Sequence, residues 1–548
     1  MRKPRITIDR KPLNLSFLPY GIGHDREGIC LLLNIGEHRI MLDCGIADIQ
    51  ALQNSDRPPA ELVFCTHAHT DHCRGLPQLN KAFPDLPIYT SEVTAKLLPI
   101  HWTPETFSRI EQQLHTISWR SPIEISNNLE IELFPAGHLP GAAAIVITYK
   151  TNDKDYRVMY TGDFSLSNFQ LVEGLSIEHL RGISPDVLII EGSYGTVRHP
   201  HRRQQEKQLM SRINSALTSG INVLLPVAPL GMGQEILKLL RSHHQFTGKD
   251  LDIWVDENVA KACNVYLDLL EQFPVSVQNF AKHQSLFWDD RVRPRMTQIN
   301  SDRDVFEGKL PCIVLVDRHA DLTSYISERS GQWLILFPER PHADASYLKW
   351  SKLFSWEKPE WITIETYLLA EHSDGRNTTQ LIHNLRPQHV VLVHGLSTYL
   401  LELASLEELY NRYQIHCPDN GKLLDLIISD RFVQPHNPTP THYEGEIHEQ
   451  NSYITIALPD DLNNDPRWNK FLDTGIVEAR WQGDELILRG IPQRELLNSN
   501  QDRKIDADLE CCQSCLHYRS QRCWNKASPL YGFKVIPEGY CPVFEANE

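Results

Sequence analysis

Three histidines and an aspartate fall within six residues directly after a short apolar run. The run occupies residues 61–65, and His67, His69, Asp71 and His72 follow it. A short, bulky apolar segment of this kind is typical of a buried strand, and packing alone gives no reason for so many polar groups at its end. Imidazole nitrogen and carboxylate oxygen are the ligands that Zn²⁺ prefers. The order H-x-H-x-D-H after a strand therefore favours a metal site over a solvated loop that is merely rich in histidine.

Further candidate ligands follow other apolar runs in the same way. His138 comes after the alternating run at 129–134, Asp163 comes after a β-like run at 156–160, and Asp43 ends an upstream run. In this order, the stretches resemble the signature of the metallo-β-lactamase fold. The resemblance implies a sandwich of two sheets flanked by helices, with the site on loops at one edge. It also implies that Asp43 supports a metal ligand from behind.

Three later motifs make the resemblance more specific. They are the run Glu191-Gly-Ser-Tyr-Gly, the histidine of His372-Ser-Asp, and the histidine of Leu-Val-His394-Gly. Together they resemble the β-CASP nucleases, a branch of the superfamily that includes ribonuclease J and the endonuclease of pre-mRNA 3′-end cleavage. The resemblance covers roughly residues 14–430. It implies an α/β protein with a metallo-β-lactamase αββα sandwich and an inserted α/β β-CASP cap domain.

A chain of 548 residues is too long for one compact core, so two or three domains are expected. We expect five segments, in chain order: the first part of the metallo-β-lactamase domain at 1–196, the β-CASP cap at 197–355, the closing part of the metallo-β-lactamase domain at 356–430, a linker and small β region at 431–500, and a small Cys-rich C-terminal region at 501–548.

Composition and charge exclude some classes of function. With 54 basic and 70 acidic residues the net charge is −16, which argues against a general, salt-driven nucleic-acid binder. A nuclease remains compatible with this charge, because it needs only a local basic channel and metal ions. No apolar run approaches the ~18 residues that cross a bilayer, and the N-terminus lacks the apolar core of a signal peptide. We therefore expect a cytoplasmic protein without a membrane partner.

The cysteines are unevenly distributed. Five of the twelve lie in the last 38 residues, and the spacing that stands out there is Cys512-x2-Cys515-x7-Cys523-x17-Cys541. In a chain without a secretion signal, such crowding favours a metal site over disulfides. Four thiolates can enclose a further Zn²⁺ or an iron–sulfur cluster. Free thiols in a small apolar subdomain are the alternative.

The β-CASP resemblance implies hydrolysis of a phosphodiester assisted by two Zn²⁺ ions. The residues that it assigns to the metals are His67, His69 and His138 for one ion, Asp71, His72 and His394 for the second, and Asp163 as the bridge. Three residues are expected to be catalytic: Asp71, Glu191 and His372. His372 is the candidate general acid for the leaving 3′ oxygen, since imidazole titrates near neutral pH. Glu191 would hold its ring and raise its pKa.

Basic residues just after Glu191 are candidates for contacts with the phosphates of single-stranded RNA. They are Arg198, His199 and Arg202, with Arg203 beside them. Arg291, Arg293 and Arg295 form a second basic cluster, which is more typical of a solvated face.

The chain departs from the family pattern in three segments. Residues 229–233 lack an arginine that the family often has there, residues 314–321 lack a Gly-rich loop, and Ala370-Glu371-His372 replaces the usual Ser-Ala-His. These changes leave the metal ligands intact and affect the expected substrate contacts. Two alternatives stay open: a metallohydrolase of small esters or thioesters, and a catalytically silent RNA-binding scaffold subunit. Endonucleolytic and 5′-exonucleolytic cleavage, RNA and DNA, and different oligomeric states are all compatible with these motifs.

Overall fold

The computed structural model describes residues 13–24, 27–53, 57–299, 309–339, 360–428, 515–519 and 522–525, together with the backbone of four strands between 446 and 490. The chain divides into two compact units, Met1–Pro435 and His436–Glu548. The larger unit contains two seven-stranded sheets and one six-stranded sheet. No helix within the described ranges has both the length and the apolar composition that crossing a bilayer requires.

The first sheet begins with a meander and continues with parallel strands. Its first six strands in chain order are β1 (Leu15–Ile22), β2 (Ile29–Ile35), β3 (His38–Leu42), β4 (Leu62–Phe64), β5 (Ile88–Ser91) and β6 (Leu114–Ile117). The first three pair antiparallel, and β3 to β6 pair parallel. Parallel pairing requires crossovers, and these crossovers carry the loop with His67, His69, Asp71 and His72 and the first four helices.

The second sheet is mainly antiparallel in its early strands. They are β7 (Ile123–Ser126), β8 (Leu129–Pro135), β9 (Ala143–Lys150), β10 (Asp155–Tyr160) and β11 (Val187–Glu191). β11 pairs parallel with β10, so the ends of these two strands lie at the same edge. The apolar runs at 61–65, 129–134 and 156–160 are confirmed as strands within one residue at each end.

Alternating side chains form the interior of the sandwich. Phe64 of the first sheet and Ile189 of the second are both fully buried in the cluster between the sheets. Leu188 and Ile190, on either side of Ile189, point the opposite way and join the cluster beneath the outer helices. The sequence of a strand that is buried on both faces is a continuous apolar run. For this reason apolar and polar residues do not alternate in β11.

Short helices cover the first sheet, and longer ones belong to the cap. The first four are α1 (Thr70–Cys73), α2 (Leu76–Ala82), α3 (Glu92–Leu97) and α4 (Pro104–Ile110). The cap contributes α5 (Arg202–Thr218), α6 (Met232–Ser242), α7 (Glu257–Asp268) and α8 (Val275–His283). Serine and threonine side chains cap α3 and α4, where Ser91 and Thr103 accept from the backbone N–H three residues on.

The cap is built on a separate parallel sheet. Its strands are β12 (Asn222–Val227), β13 (Asp252–Val255), β14 (Arg295–Gln298), β15 (Ile313–Asp317), β16 (Trp333–Pro338) and β17 (Ile362–Tyr367), in the order β14-β13-β15-β12-β16-β17. β17 pairs with β16 along its whole length. The expected boundary at 355 is therefore wrong, because the cap sheet continues to Tyr367.

The closing segment returns to the sandwich. It contains α9 (Gly375–Leu385), β18 (His389–Val393), α10 (Ser397–Ala404), α11 (Glu407–Tyr410), β19 (Gln414–His416) and β20 (Leu424–Asp425). β18 pairs parallel with β11 in the second sheet, and β20 pairs with β1 in the first. The cap is thus an insertion between two parts of one sandwich domain, and the expected fold class is confirmed.

The second unit contains three small hairpins in its described part. They pair β21 (Glu446–Gln450) with β22 (Tyr453–Ala457), β23 (Val477–Gln482) with β24 (Glu485–Gly490), and β25 (Tyr518–Arg519) with β26 (Arg522–Cys523). The β character that the sequence predicts near 453–458 and 485–488 corresponds to β22 and β24.

Candidate metal centre

Seven expected ligands come from four loops that each follow a strand at one edge of the sandwich. The loop after β4 carries His67, His69, Asp71 and His72, the last two within α1. The loops after β8, β10 and β18 carry His138, Asp163 and His394, respectively. β8, β10 and β18 run in the same direction in the second sheet, so the loops after them lie at one edge, and residues more than three hundred positions apart meet there. The structure brings all seven together.

The first ligand group consists of His67, His69, His138 and one oxygen of Asp163. His67 Nε2 lies 3.1 Å from His69 Nδ1, and His138 Nε2 lies 3.0 Å from the same atom. Asp163 Oδ2 is 3.6 Å from His67 Nε2 and 3.7 Å from His138 Nε2. Tetrahedral zinc with bonds near 2.0–2.1 Å requires ligand atoms about 3.3 Å apart. The four atoms therefore have the spacing of a tetrahedral metal site.

The second ligand group consists of Asp71, His72 and His394, with the other oxygen of Asp163 beside it. His394 Nε2 lies 3.3 Å from Asp71 Oδ2, and His72 Nε2 lies 3.3 Å from Asp163 Oδ1. Asp163 thus presents one carboxylate oxygen to each group. This arrangement suits a carboxylate that bridges two cations.

Two buried polar atoms indicate that this cluster is a cation-binding site. Within the described part of the chain, His72 Nε2 and Asp163 Oδ1 are buried without a hydrogen-bond partner. Buried polar atoms without partners are costly and rare in native proteins. The two atoms lie 3.3 Å from each other, and nitrogen and carboxylate oxygen match the ligand preference of Zn²⁺. The residues present therefore fit a pair of metal ions.

Asp43 holds His72 from behind, at a position that is fully buried. His72 Nδ1 donates to Asp43 Oδ2 at 2.8 Å, and Tyr160 Oη donates to the same oxygen at 2.8 Å. The Thr66 backbone N–H donates to Asp43 Oδ1 at 2.7 Å, and the Thr66 hydroxyl also donates to this carboxylate. Asp43 itself has a φ of +58°, a strained backbone conformation that is typical of functional sites. Sequence reasoning missed Thr66 and Tyr160, although each adjoins a ligand motif.

Backbone carbonyls hold two further histidines. His69 Nε2 donates to the carbonyl of Leu230 at 3.2 Å, and His138 Nδ1 donates to the carbonyl of Glu371 at 2.9 Å. A carbonyl oxygen can only accept, so each of these ring nitrogens carries the proton. The opposite nitrogens, His69 Nδ1 and His138 Nε2, keep their lone pairs toward the first group. Sequence reasoning missed both carbonyls.

The pocket favours neutral ligands in one group and positive charge in the other. Burial, and next the neighbouring His138, lower the pKa of His69 to about 4, so its imidazole is neutral at pH 7. Burial opposes the charged form of His72 as well, but the carboxylates of Asp163 and Asp43 outweigh it and raise the pKa of His72 to about 10. A metal ligand must be deprotonated, so a proton and a metal ion compete at His72.

Glu191 and His372 form a pair beside the ligand groups. His372 Nδ1 donates to Glu191 Oε2 at 2.9 Å, while Glu191 Oε1 accepts the backbone N–H of Phe164 at 2.6 Å. Burial by itself raises the pKa of Glu191, but the charge of His372 outweighs it and this pKa falls to about 2. Burial likewise opposes the charged form of His372, and Glu191 outweighs it, so the pKa of His372 is raised.

Ser193 connects this pair to the second ligand group, and sequence reasoning did not single it out. Its hydroxyl donates to Glu191 Oε2, and His394 Nδ1 lies 2.8 Å from the Ser193 oxygen. His394 has a φ of +50°, so strained backbone occurs at a second residue of the site. His394 Nε2 is left toward Asp71.

The structure separates the three expected substrate-binding residues. Arg198 is exposed. His199 is half-buried, with its ring edge-on to Tyr194 at 4.3 Å and its backbone N–H donating to Asp374. Arg202 is buried: its Nη1 donates to the Ala370 carbonyl at 2.6 Å, and its guanidinium lies over Phe169. The expectation of a phosphate contact at Arg202 is therefore wrong, because its guanidinium is buried and already bonded to groups inside the fold.

The second basic cluster is neutralised by neighbouring carboxylates. Arg291 pairs with Asp289 at 3.0 Å, Arg293 lies 3.7 Å from Asp250, and Arg295 pairs with Asp252 at 2.6 Å. The assignment of this cluster to a solvated face agrees with these pairs.

Two of the four tail cysteines belong to the described residues. Cys515 and Cys523 are both buried, and Cys523 lies opposite Tyr518 in the last hairpin. Cys512 and Cys541 lie outside the described residues. The thiolate site in the tail stays a prediction.

In a comparison with known protein families, residues 38–214 match the family model described as the beta-lactamase superfamily domain. An uncharacterized protein of Synechocystis is 49% identical over 543 residues, covering 97% of each chain. Integrator complex subunit 11 of Danio rerio is 23% identical over 480 residues, covering 76% of this chain and 74% of the relative. An RNase J-like protein of Methanocaldococcus jannaschii is 26% identical over 303 residues, covering 52% of this chain and 67% of the relative.

Proposed function

The chain belongs to the β-CASP branch of the metallo-β-lactamase superfamily, and on that premise we propose that it is a zinc-dependent nuclease that hydrolyses phosphodiester bonds in single-stranded RNA. One observation carries the proposal. The Asp163 carboxylate lies between two groups of metal ligands, and the Glu191–His372 pair lies directly beside it, with Asp163 Oδ2 3.8 Å from His372 Nδ1. A clamp for two cations next to a buried acid–base pair suits the hydrolysis of a phosphodiester.

The metal ligands are those that the geometry groups together. His67, His69 and His138 would hold one Zn²⁺, Asp71, His72 and His394 the second, with Asp163 between them. When bound, the two ions supply an activated water and stabilise the negative charge that develops on the phosphate. Asp43 and the two backbone carbonyls then keep the imidazole rings in the tautomers that ligation needs.

His372 is proposed to protonate the leaving 3′ oxygen of the RNA. Its Nδ1 is held by Glu191, so Nε2 is the nitrogen that can deliver a proton. The side chain is 15% exposed, which leaves access for a substrate. The carboxylate favours the imidazolium, so His372 is charged before the reaction and neutral after the proton has moved to the leaving oxygen.

RNA is the substrate that the relatives and the site together support. Among the relatives, one is named as an RNase J-like protein. All seven ligands are present, which speaks against a catalytically silent scaffold. Arg198 and Arg203 are the exposed candidates for a phosphate contact near Glu191.

An assay on RNA labelled at either end tests the proposal. Purified protein loaded with zinc should cleave single-stranded RNA, lose this activity with a chelator, and regain it when zinc is restored. The two labels distinguish internal cleavage from stepwise 5′ degradation. Hydrolysis of a chromogenic ester with none of RNA would overturn the proposal in favour of a small-molecule hydrolase. RNA binding without cleavage by the zinc-loaded protein would overturn it in favour of a scaffold.

A further inference from the structure

The turn between β12 and α6 is one of the segments in which the chain departs from the family pattern. This turn contacts a candidate metal ligand: the Leu230 carbonyl accepts a hydrogen bond from His69 Nε2 at 3.2 Å. Leu230 belongs to the cap, whereas His69 belongs to the sandwich. The cap therefore takes part in orienting a histidine of the first ligand group.

A single side chain organises this turn. Gln234 Oε1 accepts the backbone N–H of Gly231 at 2.8 Å, and its Nε2 donates to the carbonyls of Pro229 at 2.9 Å and Val259 at 3.0 Å. Gln234 is 0% exposed. It thus binds the residues on both sides of Leu230 and ties the turn to α7. Because the flanking peptides are held, the direction of the Leu230 carbonyl is determined by Gln234.

The conformation of the turn also depends on Gly231. This residue has a φ of +95° and a ψ of −85°, which residues with a Cβ rarely adopt. Space is not the constraint, since an added Cβ would lie 3.7 Å from His69 Nε2, an ordinary van der Waals distance. A substitution here would alter the backbone of the turn rather than collide with the histidine.

We propose that Gln234 is a positioning residue of the metal centre, which acts through the Leu230 carbonyl to hold His69 in the tautomer that offers Nδ1 to a metal ion. The proposal rests on the proposed function in so far as His69 is taken to be a zinc ligand. It assigns the altered turn a role in metal binding rather than in substrate contact. Removal of a side chain that holds a metal ligand from behind typically lowers the metal affinity 10- to 100-fold.

Binding and turn structure must then be coupled in both directions. If the turn favours zinc at the first ligand group, zinc must favour the turn to the same extent. Backbone N–H groups of residues 230–233 should therefore exchange more slowly with solvent when zinc is added. This readout reports on the cap itself and requires no catalysis.

The decisive variant is Gln234→Met, which keeps the length of the side chain and removes its hydrogen bonds. Its matched control is Asn222→Leu, at the opposite end of β12. Asn222 is equally buried, donates to the Ser330 carbonyl and accepts from the Cys312 N–H. Zinc affinity is measured on the full chain by competition with a chromophoric chelator, together with the thermal unfolding midpoint without zinc. Both variants should unfold at lower temperature, and Gln234→Met alone should lose zinc affinity, by about 10-fold.

A second pair of variants guards against a poorly folded Gln234→Met protein. Gly231→Ala should weaken zinc binding in the same selective way. Gly331→Ala is its control, because Gly331 has the same φ of +95° and nothing within 4 Å of an added Cβ. Equal zinc affinity in Gly231→Ala and Gly331→Ala, or zinc protection of the N–H groups of residues 230–233 that survives in Gln234→Met, would overturn the proposal. Absence of RNA cleavage by the wild-type protein that still binds zinc would count against the proposed function alone.

Discussion

Glu191 and His372 are 181 residues apart in the chain, yet Glu191 Oε2 lies 2.9 Å from His372 Nδ1 in a site where Glu191 is 2% exposed. Glu191 ends β11, and His372 follows the last strand of the cap sheet. The pair therefore forms only where the chain leaves the cap and returns to the sandwich.

His372→Ala should slow RNA cleavage by about 10²–10⁴-fold, the usual contribution of a general acid. The same variant should hydrolyse bis(p-nitrophenyl) phosphate nearly as fast as the wild type, because nitrophenolate leaves without a proton. Comparison of the two substrates is the measurement. His383→Ala, a half-buried histidine bonded to Tyr413, is the control. Equal losses on both substrates would show that His372 has another role.

Asp163→Asn and His67→Ala should differ in the metal that they retain. Asp163 presents Oδ2 to the first ligand group and Oδ1 to the second, so its loss should weaken zinc binding at both. His67 belongs to the first group alone, so His67→Ala should keep one equivalent of zinc, at the second group. Both variants should lose RNA cleavage while their circular dichroism spectra stay native. Elemental analysis after dialysis checks the difference, and equal zinc contents in the two variants would contradict a bridging Asp163.

Tyr160→Phe should lower the free energy of unfolding by about 2 kcal/mol, since it removes a hydrogen bond to a buried carboxylate. Tyr160 is fully buried and donates to Asp43. Tyr266→Phe is a close control, because Tyr266 is equally buried and its hydroxyl has no hydrogen-bond partner among the described residues. Urea unfolding of both variants measures the difference. If the two variants unfold alike, the Asp43 network contributes no stability through Tyr160.

Glu235→Gln should change how stability depends on pH. Glu235 accepts the backbone N–H groups of Gln170 and Leu171, and burial, opposed by Arg202, raises its pKa from 4.5 to about 7. The folded state therefore binds more protons than the unfolded state between these values, and the contribution of Glu235 to stability falls as pH rises from 4.5 to about 7. The stability of Glu235→Gln relative to wild type should rise by up to about 3 kcal/mol over this window.

Urea unfolding of both proteins from pH 4.5 to pH 8 measures that difference, and all other titrating groups cancel in the comparison. Parallel curves for the two proteins would show that folding does not change the pKa of Glu235.

The burial of Arg202 could not be predicted from the sequence. Its neighbours in the chain are basic and polar, and nothing local distinguishes it from the exposed Arg198 and Arg203. It is buried because Ala370, far along the chain, presents a carbonyl to it. Gln205 completes this contact by accepting the Ala370 N–H at 2.8 Å. Local charge shows that a residue is polar, while the surrounding fold decides which partner it has.

The cap boundary has a similar explanation. Residues 362–367 alternate weakly and precede His372, so they resemble one more strand of the sandwich with a site residue after it. Their pairing with β16 is long-range and depends on the order of the parallel sheet. Periodicity predicts that such a strand exists, whereas the sheet that it joins depends on topology.

The sequence by itself determined the strands, the motifs at their ends and hence the set of candidate metal ligands that the structure brings together. Each ligand follows its strand within a few residues, so local pattern is sufficient. Only the tertiary structure decided that Arg202 faces inward, that β17 belongs to the cap, and that the carbonyls of Leu230 and Glu371 select the tautomers of His69 and His138. The reason is physical: every residue carries a carbonyl, and which of them meets a histidine depends on packing between distant segments.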